Sequence, residues 1–179
     1  MEKKILLYLF ITSLLFFSCS KEAVELPPAS QAGANTFGCR IDDKFWVPIG
    51  FGLVPTAPIL EARFLANDLK INARNFSASP TESEFEFLIK GAATPGVYLL
   101  NSNVSYPNAA ASYAYYVHRK LTPDNEWITS SQYTGSITIT KIDTINSFVS
   151  GHFEFRAINM YNEPKPINVT EGRFDIKLQ

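Results

Sequence analysis

The stretch Val149-Ser-Gly-His-Phe-Glu-Phe-Arg-Ala157 decides the fold, because its residues alternate between two kinds. Positions 149, 151, 153, 155 and 157 are apolar or glycine, whereas His152, Glu154 and Arg156 are polar or charged. Successive side chains of a β-strand point to opposite faces, so this pattern predicts a long strand with one buried face.

The same period of two recurs elsewhere in the chain. Residues 135–140 alternate isoleucine with serine and threonine, and residues 173–178 alternate charged with apolar side chains. In the second segment we expect Phe174 to face inward and Asp175 to face outward. Near the start, Phe37, Cys39 and Ile41 share one face, so Cys39 is expected in the core.

Short polar pairs separate several of these segments. Asp42-Asp43 and Asn67-Asp68 each lie between two alternating runs, which is typical of β-hairpins. The residues 108–117 begin with an alanine-rich run, but Tyr113, Tyr115 and Tyr116 favour a strand over a helix. About ten short strands joined by such turns predict an all-β fold. An antiparallel β-sandwich is the first interpretation and a β-barrel the alternative.

The N-terminus has the layout of a secretory signal. Lys3 and Lys4 precede an uncharged run over residues 5–17, and Ser18 follows. The run is too short to cross a hydrocarbon core of about 30 Å. Leu15-Phe-Phe-Ser-Cys19 resembles a bacterial lipobox, which implies cleavage after Ser18 and lipidation of Cys19, palmitate included. Several acyl chains on one residue give stable membrane anchoring.

We therefore divide the chain into three parts: a lipoprotein signal peptide (1–18), a lipidated flexible tether (19–35) and one β domain (36–179). The tether contains Pro27-Pro28 and small polar residues without an apolar period. Removing the signal leaves a net charge of −2 without a charge block. Nucleic acid is not expected as a partner, because its binding needs a concentrated basic face.

Four segments at the two ends of the domain resemble an uncharacterised family of Bacteroidota-type envelope lipoproteins. They are Thr36-Phe-Gly-Cys-Arg-Ile-Asp-Asp-Lys-Phe-Trp-Val-Pro48, Gly135-Ser-Ile-Thr-Ile-Thr-Lys-Ile-Asp143, Ser150-Gly-His-Phe-Glu-Phe155 and Thr170-Glu-Gly-Arg-Phe-Asp175. The resemblance implies a lipid-anchored β domain of unknown function in the cell envelope, at the outer membrane. It brings no catalytic residues to assign.

Patterns typical of catalytic sites are not evident in the sequence. His118 and His152 lie on different predicted strands, and the sequence shows no carboxylate converging with them on a metal. No G-x-S-x-G motif occurs, and an inward Cys39 is not a nucleophile. We expect no catalytic residues, no metal site and no cofactor. The expected function is therefore a non-catalytic binding or interaction module, and the chain is not expected to be an enzyme.

Two features remain as candidate sites. Tyr113 and Tyr115 share one strand face and Tyr116 lies on the other, so some rings could stack on a glycan unless they pack under a loop. The alternative partner is a protein, in a structural or assembly role. Asp143-Thr144-Ile145 resembles the short O-glycosylation acceptor of Bacteroidota secreted proteins, with Thr144 as acceptor. The other interpretation is that Asp143 bonds the turn backbone.

Overall fold

The structure, a computed structural model, describes residues 25–50, 58–77, 81–119, 125–161 and 165–179. These residues form eleven β-strands and contain no helix, and therefore none long and apolar enough to cross a membrane. The strands are β1 (Thr36–Ile41), β2 (Lys44–Trp46), β3 (Leu60–Leu65), β4 (Asp68–Asn75), β5 (Ser83–Ile89), β6 (Gly96–Leu99), β7 (Tyr113–His118), β8 (Glu126–Ile128), β9 (Gly135–Asp143), β10 (Phe148–Asn159) and β11 (Ile167–Lys177). The predicted signal peptide and Cys19 lie outside the described residues.

The strands form one curled antiparallel sheet in the order β2-β1-β11-β10-β8-β7-β5-β4-β3, with β9 on β10 and β6 on β9. The long strand β10 connects the two halves of the sheet. Residues 148–155 of β10 pair with β9, whereas Ile158 and Asn159 pair with β8. A parallel bridge from Ala62 to Leu178 links the far end of the sheet back to the C-terminus. The all-β prediction is confirmed, and this half-barrel is consistent with both the sandwich and the barrel.

Aromatic side chains fill the interior of the curl. The Phe153 ring lies 4.9 Å from the Phe87 ring and 5.1 Å from the Phe37 ring, centroid to centroid. Phe155 points to the same side, whereas His152 and Glu154 are exposed, as the alternation predicts. Such aromatic pairs stabilise a core by about 0.5–1.5 kcal/mol each beyond their buried area.

Both predicted hairpins are present. Asp42 and Asp43 connect β1 to β2 with φ angles of 46° and 68°, which matches a two-residue turn of type I′. The second turn is shifted by one residue from the predicted Asn67-Asp68: Leu65 pairs with Asp68, so the turn residues are Ala66, whose φ is 56°, and Asn67. Cys39 is fully buried, so the predicted strand register of β1 is confirmed.

The tyrosine segment is a strand, but it begins at Tyr113, five residues later than the sequence indicates. The partner strand β5 determines where β7 begins. β5 pairs with β7 only as far as Leu88 and Tyr113, and its chain then turns at Gly91, whose φ is 64°. The Ser112 hydroxyl caps this end by accepting a hydrogen bond from the Lys90 N–H at 2.9 Å.

The N-terminal strap, residues 26–35, lies on the domain instead of forming a free tether. The backbone N–H groups of Ala32, Gly33 and Ala34 donate hydrogen bonds of 2.9–3.0 Å to the Asp175 carboxylate. Near its start, the strap packs on β1, where a Cβ added to Gly38 would lie 2.7 Å from Pro27. The expectation of a flexible tether up to residue 35 is therefore corrected for residues 26–35.

The expected outward exposure of Asp175 is corrected for the same reason. Asp175 does point away from the aromatic core, yet its exposed fraction is 1% because the strap covers it. The Ser150 hydroxyl donates a further hydrogen bond to the carboxylate at 2.7 Å. A buried carboxylate needs such donors, since its transfer out of water is otherwise unfavourable.

Candidate functional site

The three candidate tyrosines do not form a ligand-accessible surface. Tyr113, Tyr115 and Tyr116 are 2%, 6% and 7% exposed. Tyr106, from the loop before β7, stacks on Tyr115 at 4.3 Å with the ring planes 7° apart. Tyr116 lies on the opposite face of β7, 4.7 Å from the core ring of Phe85. The rings therefore pack under a loop on one face and in the core on the other, and none is free to stack on a sugar.

Carboxylates hold the two outer tyrosine hydroxyls. Tyr113 donates to Glu86, and Tyr115 donates to Glu126 at 2.7 Å. Burial raises the pKa of both tyrosines well above the usual range, and the carboxylate hydrogen bonds raise it further. For Glu86, burial raises the pKa, but the Tyr113 hydroxyl and the Lys70 ammonium outweigh it and lower the pKa overall. The arrangement stabilises the protein with neutral tyrosines that donate to the two glutamates.

The Asp143-Thr144-Ile145 triplet forms the hairpin between β9 and β10. The Asp143 carboxylate accepts hydrogen bonds from the backbone N–H of Asn146 at 2.8 Å and of Ile145 at 3.2 Å. Chiefly because of the Asn146 bond, the pKa of Asp143 is lowered to about 2. Thr144 itself is exposed. Turn bonding therefore accounts for Asp143, while Thr144 stands where a transferase could reach it.

The two histidines are not brought together on a metal. His118 ends β7, whereas His152 lies in the middle of β10. Over the described ranges, no group of three or more His, Cys, Asp or Glu side chains is placed to hold a metal ion.

The strap and the sheet beneath it enclose a groove of about 390 Å³. We call it the strap groove. One wall is the strap backbone over residues 28–31, and the floor is the outer face of β1, β11, β10 and β9. The floor residues are Thr36, Thr140, Gly151, His152, Arg173 and Phe174.

Strand register brings the two basic side chains of the groove side by side. His152 of β10 is paired with Arg173 of β11, so both side chains point to the outer face. Among the described residues, the contacts of Arg173 are long: 3.3 Å to the Glu171 carbonyl, 3.4 Å to the Pro27 carbonyl and 3.7 Å to the Glu171 carboxylate. Its guanidinium thus retains hydrogen-bonding capacity toward the groove.

Glycine is required in the groove floor. Gly151 lies at a bulge in the β9–β10 pairing, and a Cβ there would come within 2.1 Å of the Thr138 carbonyl oxygen. Beside it, the Thr140 hydroxyl donates to the Ser150 carbonyl at 3.1 Å. The floor is thereby fixed by backbone packing, which favours a preformed site.

Chemically, the strap groove suits recognition of an anion. A guanidinium binds a carboxylate or phosphate through paired N–H donors, and an adjacent imidazole adds a third donor. The sequence analysis placed His152 on a polar strand face but did not connect it with Arg173. Only the β10–β11 register and the docking of the strap, more than 100 residues away, bring these groups together.

A second exposed feature lies at the far edge of the sheet. Val97 and Leu99 of β6 are 65% and 59% exposed, although they are apolar. In the described part of the chain β6 pairs with β9 on one side only. An apolar edge strand of this kind can accept a strand from another protein.

Comparison with known proteins identifies a family whose description names no activity. Residues 59–175 match the family described as Domain of unknown function (DUF6252), and the chain belongs to that family. The match runs from just before β3 to Asp175 and includes His152 and Arg173, whereas the strap and Thr36 lie before it. No curated protein and no solved structure matches the chain.

Proposed function

We propose that this member of the DUF6252 family is a lipid-anchored envelope protein whose domain binds a small acidic ligand in the strap groove without transforming it. The observation that carries the proposal is the pairing of Arg173 with His152 on the floor of a preformed groove. Two donors of this kind recognise a carboxylate or a phosphate.

The sequence supports the location. A basic start, a short apolar run and Ser18-Cys19 indicate export followed by lipidation of Cys19. Attachment at the outer membrane follows from the resemblance to Bacteroidota-type envelope lipoproteins. The anchor is tested by replacing Cys19 with serine in cells that receive labelled palmitate. We expect loss of the label and release from the membrane fraction; persistence of both would contradict the anchor.

The groove geometry supports a binding role. The Arg173 side chain is 30% exposed and its contacts within the described part of the chain are long, so a ligand can displace them at low cost. Lys141 contacts the Gln31 carbonyl at 3.4 Å near the same wall, but its ammonium is paired with the Asp143 carboxylate at 3.3 Å, so the proposal rests on Arg173 and His152.

Ligand binding is tested with the chain from residue 19 carrying Cys19→Ser, so that no lipid is attached. Inorganic phosphate, succinate and a uronic acid serve as probes, and binding is measured by calorimetry and thermal shift. We expect Arg173→Gln and His152→Gln each to weaken binding about tenfold or more, the scale of one charge-assisted hydrogen bond.

The matched control is Lys177→Gln, which removes one positive charge from the same strand β11 at an exposed position. We expect it to leave binding within about twofold, since exposed charges contribute little. Failure of all three probes to bind the unsubstituted chain would contradict the acidic-ligand proposal, as would an equal effect of the control.

A second candidate function is docking to a protein partner through β6, which the exposure of Val97 and Leu99 favours. Val97→Lys places a charge on this edge without entering the core. Under this alternative the variant abolishes co-purification of a partner from envelope extracts, while Arg173→Gln leaves it intact.

A further inference from the structure

The place where the strap leaves the domain determines which side of the domain can face the membrane. Leu26 and Pro27 lie in a groove of about 340 Å³ together with Val47, Pro48 and Ile59. We call this region the β2–β3 seam, because Val47 and Pro48 follow β2 and Ile59 precedes β3. Glu25, the first residue that the structure describes, is exposed at this seam.

Several contacts fix the strap along its length. At one end the Asp175 carboxylate binds three successive N–H groups, from Ala32 to Ala34. At the other end Leu26 and Pro27 pack on Gly38, where an added Cβ would lie 3.3 Å and 2.7 Å from them. The three successive N–H groups form a backbone nest around the carboxylate. Such charge-assisted hydrogen bonds hold this end of the strap firmly on β11.

Docking of the strap shortens the link to the proposed lipid. From Cys19 to Glu25 there are six residue steps, which span at most about 21 Å when fully extended. If the chain were free as far as Thr36, the same link would reach about 60 Å. A compact domain of this length has a radius of gyration of about 14–15 Å and is therefore about 37 Å across. The first distance is smaller than this width, so the domain cannot turn its opposite side to the bilayer.

We infer that the strap holds the domain close to the lipid surface, with the β2–β3 seam facing the bilayer and the β6 edge facing away. This inference rests on the proposed lipid anchor at Cys19. Within the sheet, β11, β10 and β9 separate β1 from β6, so four strand spacings of about 4.8 Å place the β6 edge about 19 Å from β1 along the curled sheet. Val47, Pro48 and Ile59, which line the seam, are half-buried apolar residues.

The test attaches the lipid chemically, so its outcome does not depend on whether cells lipidate Cys19. The chain from residue 19 to 179 is coupled through the Cys19 thiol to a maleimide phospholipid in vesicles of phosphatidylcholine and phosphatidylglycerol. Cys39 is fully buried and does not compete. The Cys19→Ser variant, which retains Cys39, must show no coupling.

Orientation is read from a fluorescent amino acid introduced at position 47 or at position 97, with lipids that carry a quencher in the headgroup. We expect strong quenching at position 47 and about threefold weaker quenching at position 97, given the 19 Å offset between the two edges. Equal quenching at the two positions would overturn the inference.

The control lengthens the link without touching the strap. An insert of about twelve Gly and Ser residues between Ser20 and Lys21 gives a flexible spacer. We expect quenching at position 47 to fall to the level of position 97. If the difference between the positions persists with the insert, the short link does not orient the domain, and the inference fails. The palmitate labelling of the Cys19→Ser variant in cells tests the lipid anchor separately.

Discussion

The Asp175 carboxylate accepts a hydrogen bond at 2.9 Å from the backbone N–H of Gly33, which lies 142 residues earlier in the chain. This contact joins the segment nearest the proposed lipid to the last strand of the domain. It closes one wall of the strap groove and determines where the chain leaves the domain. The Asp175 carboxylate therefore connects the last strand of the domain with the strap, which forms a wall of the groove and leads to the proposed anchor.

The stability contributed by Asp175 should depend on pH. Burial raises the pKa of Asp175, but hydrogen bonds from Ala34, Ser150, Ser30 and Ala32 outweigh it and lower the pKa from 3.8 to about 2. A lowered pKa means that the unfolded chain takes up the proton first as the pH falls. The contribution, about 2 kcal/mol, is therefore complete above about pH 5 and is lost between about pH 4 and pH 2.

Asp175→Asn is the variant that isolates this contribution. At pH 7 we expect its free energy of unfolding in urea to fall by about 2–3 kcal/mol, since the charge is lost and an amide N–H₂ opposes the strap donors. The difference from the parent should shrink at pH 2.5. Asp43→Asn, at an exposed turn position, serves as control with an expected change below about 0.5 kcal/mol. A constant difference between pH 7 and pH 2.5 would refute this role.

Cys39 should react slowly with thiol reagents in the folded protein. It is fully buried between β11 and β2, and burial raises the pKa of its thiol well above the usual value. Thiolate is the reactive form, so both access and ionisation are suppressed. Labelling with a chromogenic disulfide, with and without guanidinium, measures the effect in the Cys19→Ser chain. Rapid stoichiometric labelling without denaturant would contradict the structure of β1.

Tyr113 and Tyr115 should act as stabilising residues rather than as ligand contacts. We expect Tyr115→Phe to lower stability by about 1–2 kcal/mol, because Glu126 loses a buried hydrogen-bond donor. Tyr115→Ala should cost about 3–5 kcal/mol through the cavity that it leaves. Tyr161→Phe is the matched control, since exposed Tyr161 bonds the same carboxylate at 3.1 Å, and its cost should be below about 0.5 kcal/mol.

A glycan screen separates the two roles of these tyrosines. The alanine variants should show no selective loss of any glycan signal once their lower melting temperatures are taken into account. A glycan whose binding disappears in Tyr115→Phe while the fold stays intact would restore the tyrosines as a binding site.

Thr144 should carry an O-linked glycan when the protein is isolated from a Bacteroidota host. Its side chain is exposed at the tip of the β9–β10 hairpin, and Ile145 beside it is 91% exposed, so the acceptor segment is accessible. Intact mass of the native protein, compared with Thr144→Ala, measures the modification. Masses that differ only by the substitution would leave Asp143 with its turn role alone.

Strand patterns proved reliable where one face is buried and one is exposed. The alternation in residues 149–157 places Phe153 in the core and Glu154 in solvent, as predicted. The Asp42-Asp43 pair was predictable because a two-residue turn needs residues that tolerate positive φ. The late start of β7 was not predictable, since it depends on where the partner strand β5 turns away.

The sequence by itself determined most of the strands, the Asp42-Asp43 turn and the burial of Cys39, because side-chain alternation and turn chemistry are local properties. It gave no sign of the short strand β8, which has only three residues. Only the tertiary structure decided that the strap packs on Asp175, that His152 stands beside Arg173 and that the outer tyrosines lie under Tyr106. These relationships depend on strand register and on contacts between residues far apart in the chain. The composition of the strap carries no signal of its docking, since a backbone N–H bonds a carboxylate whatever side chain it bears.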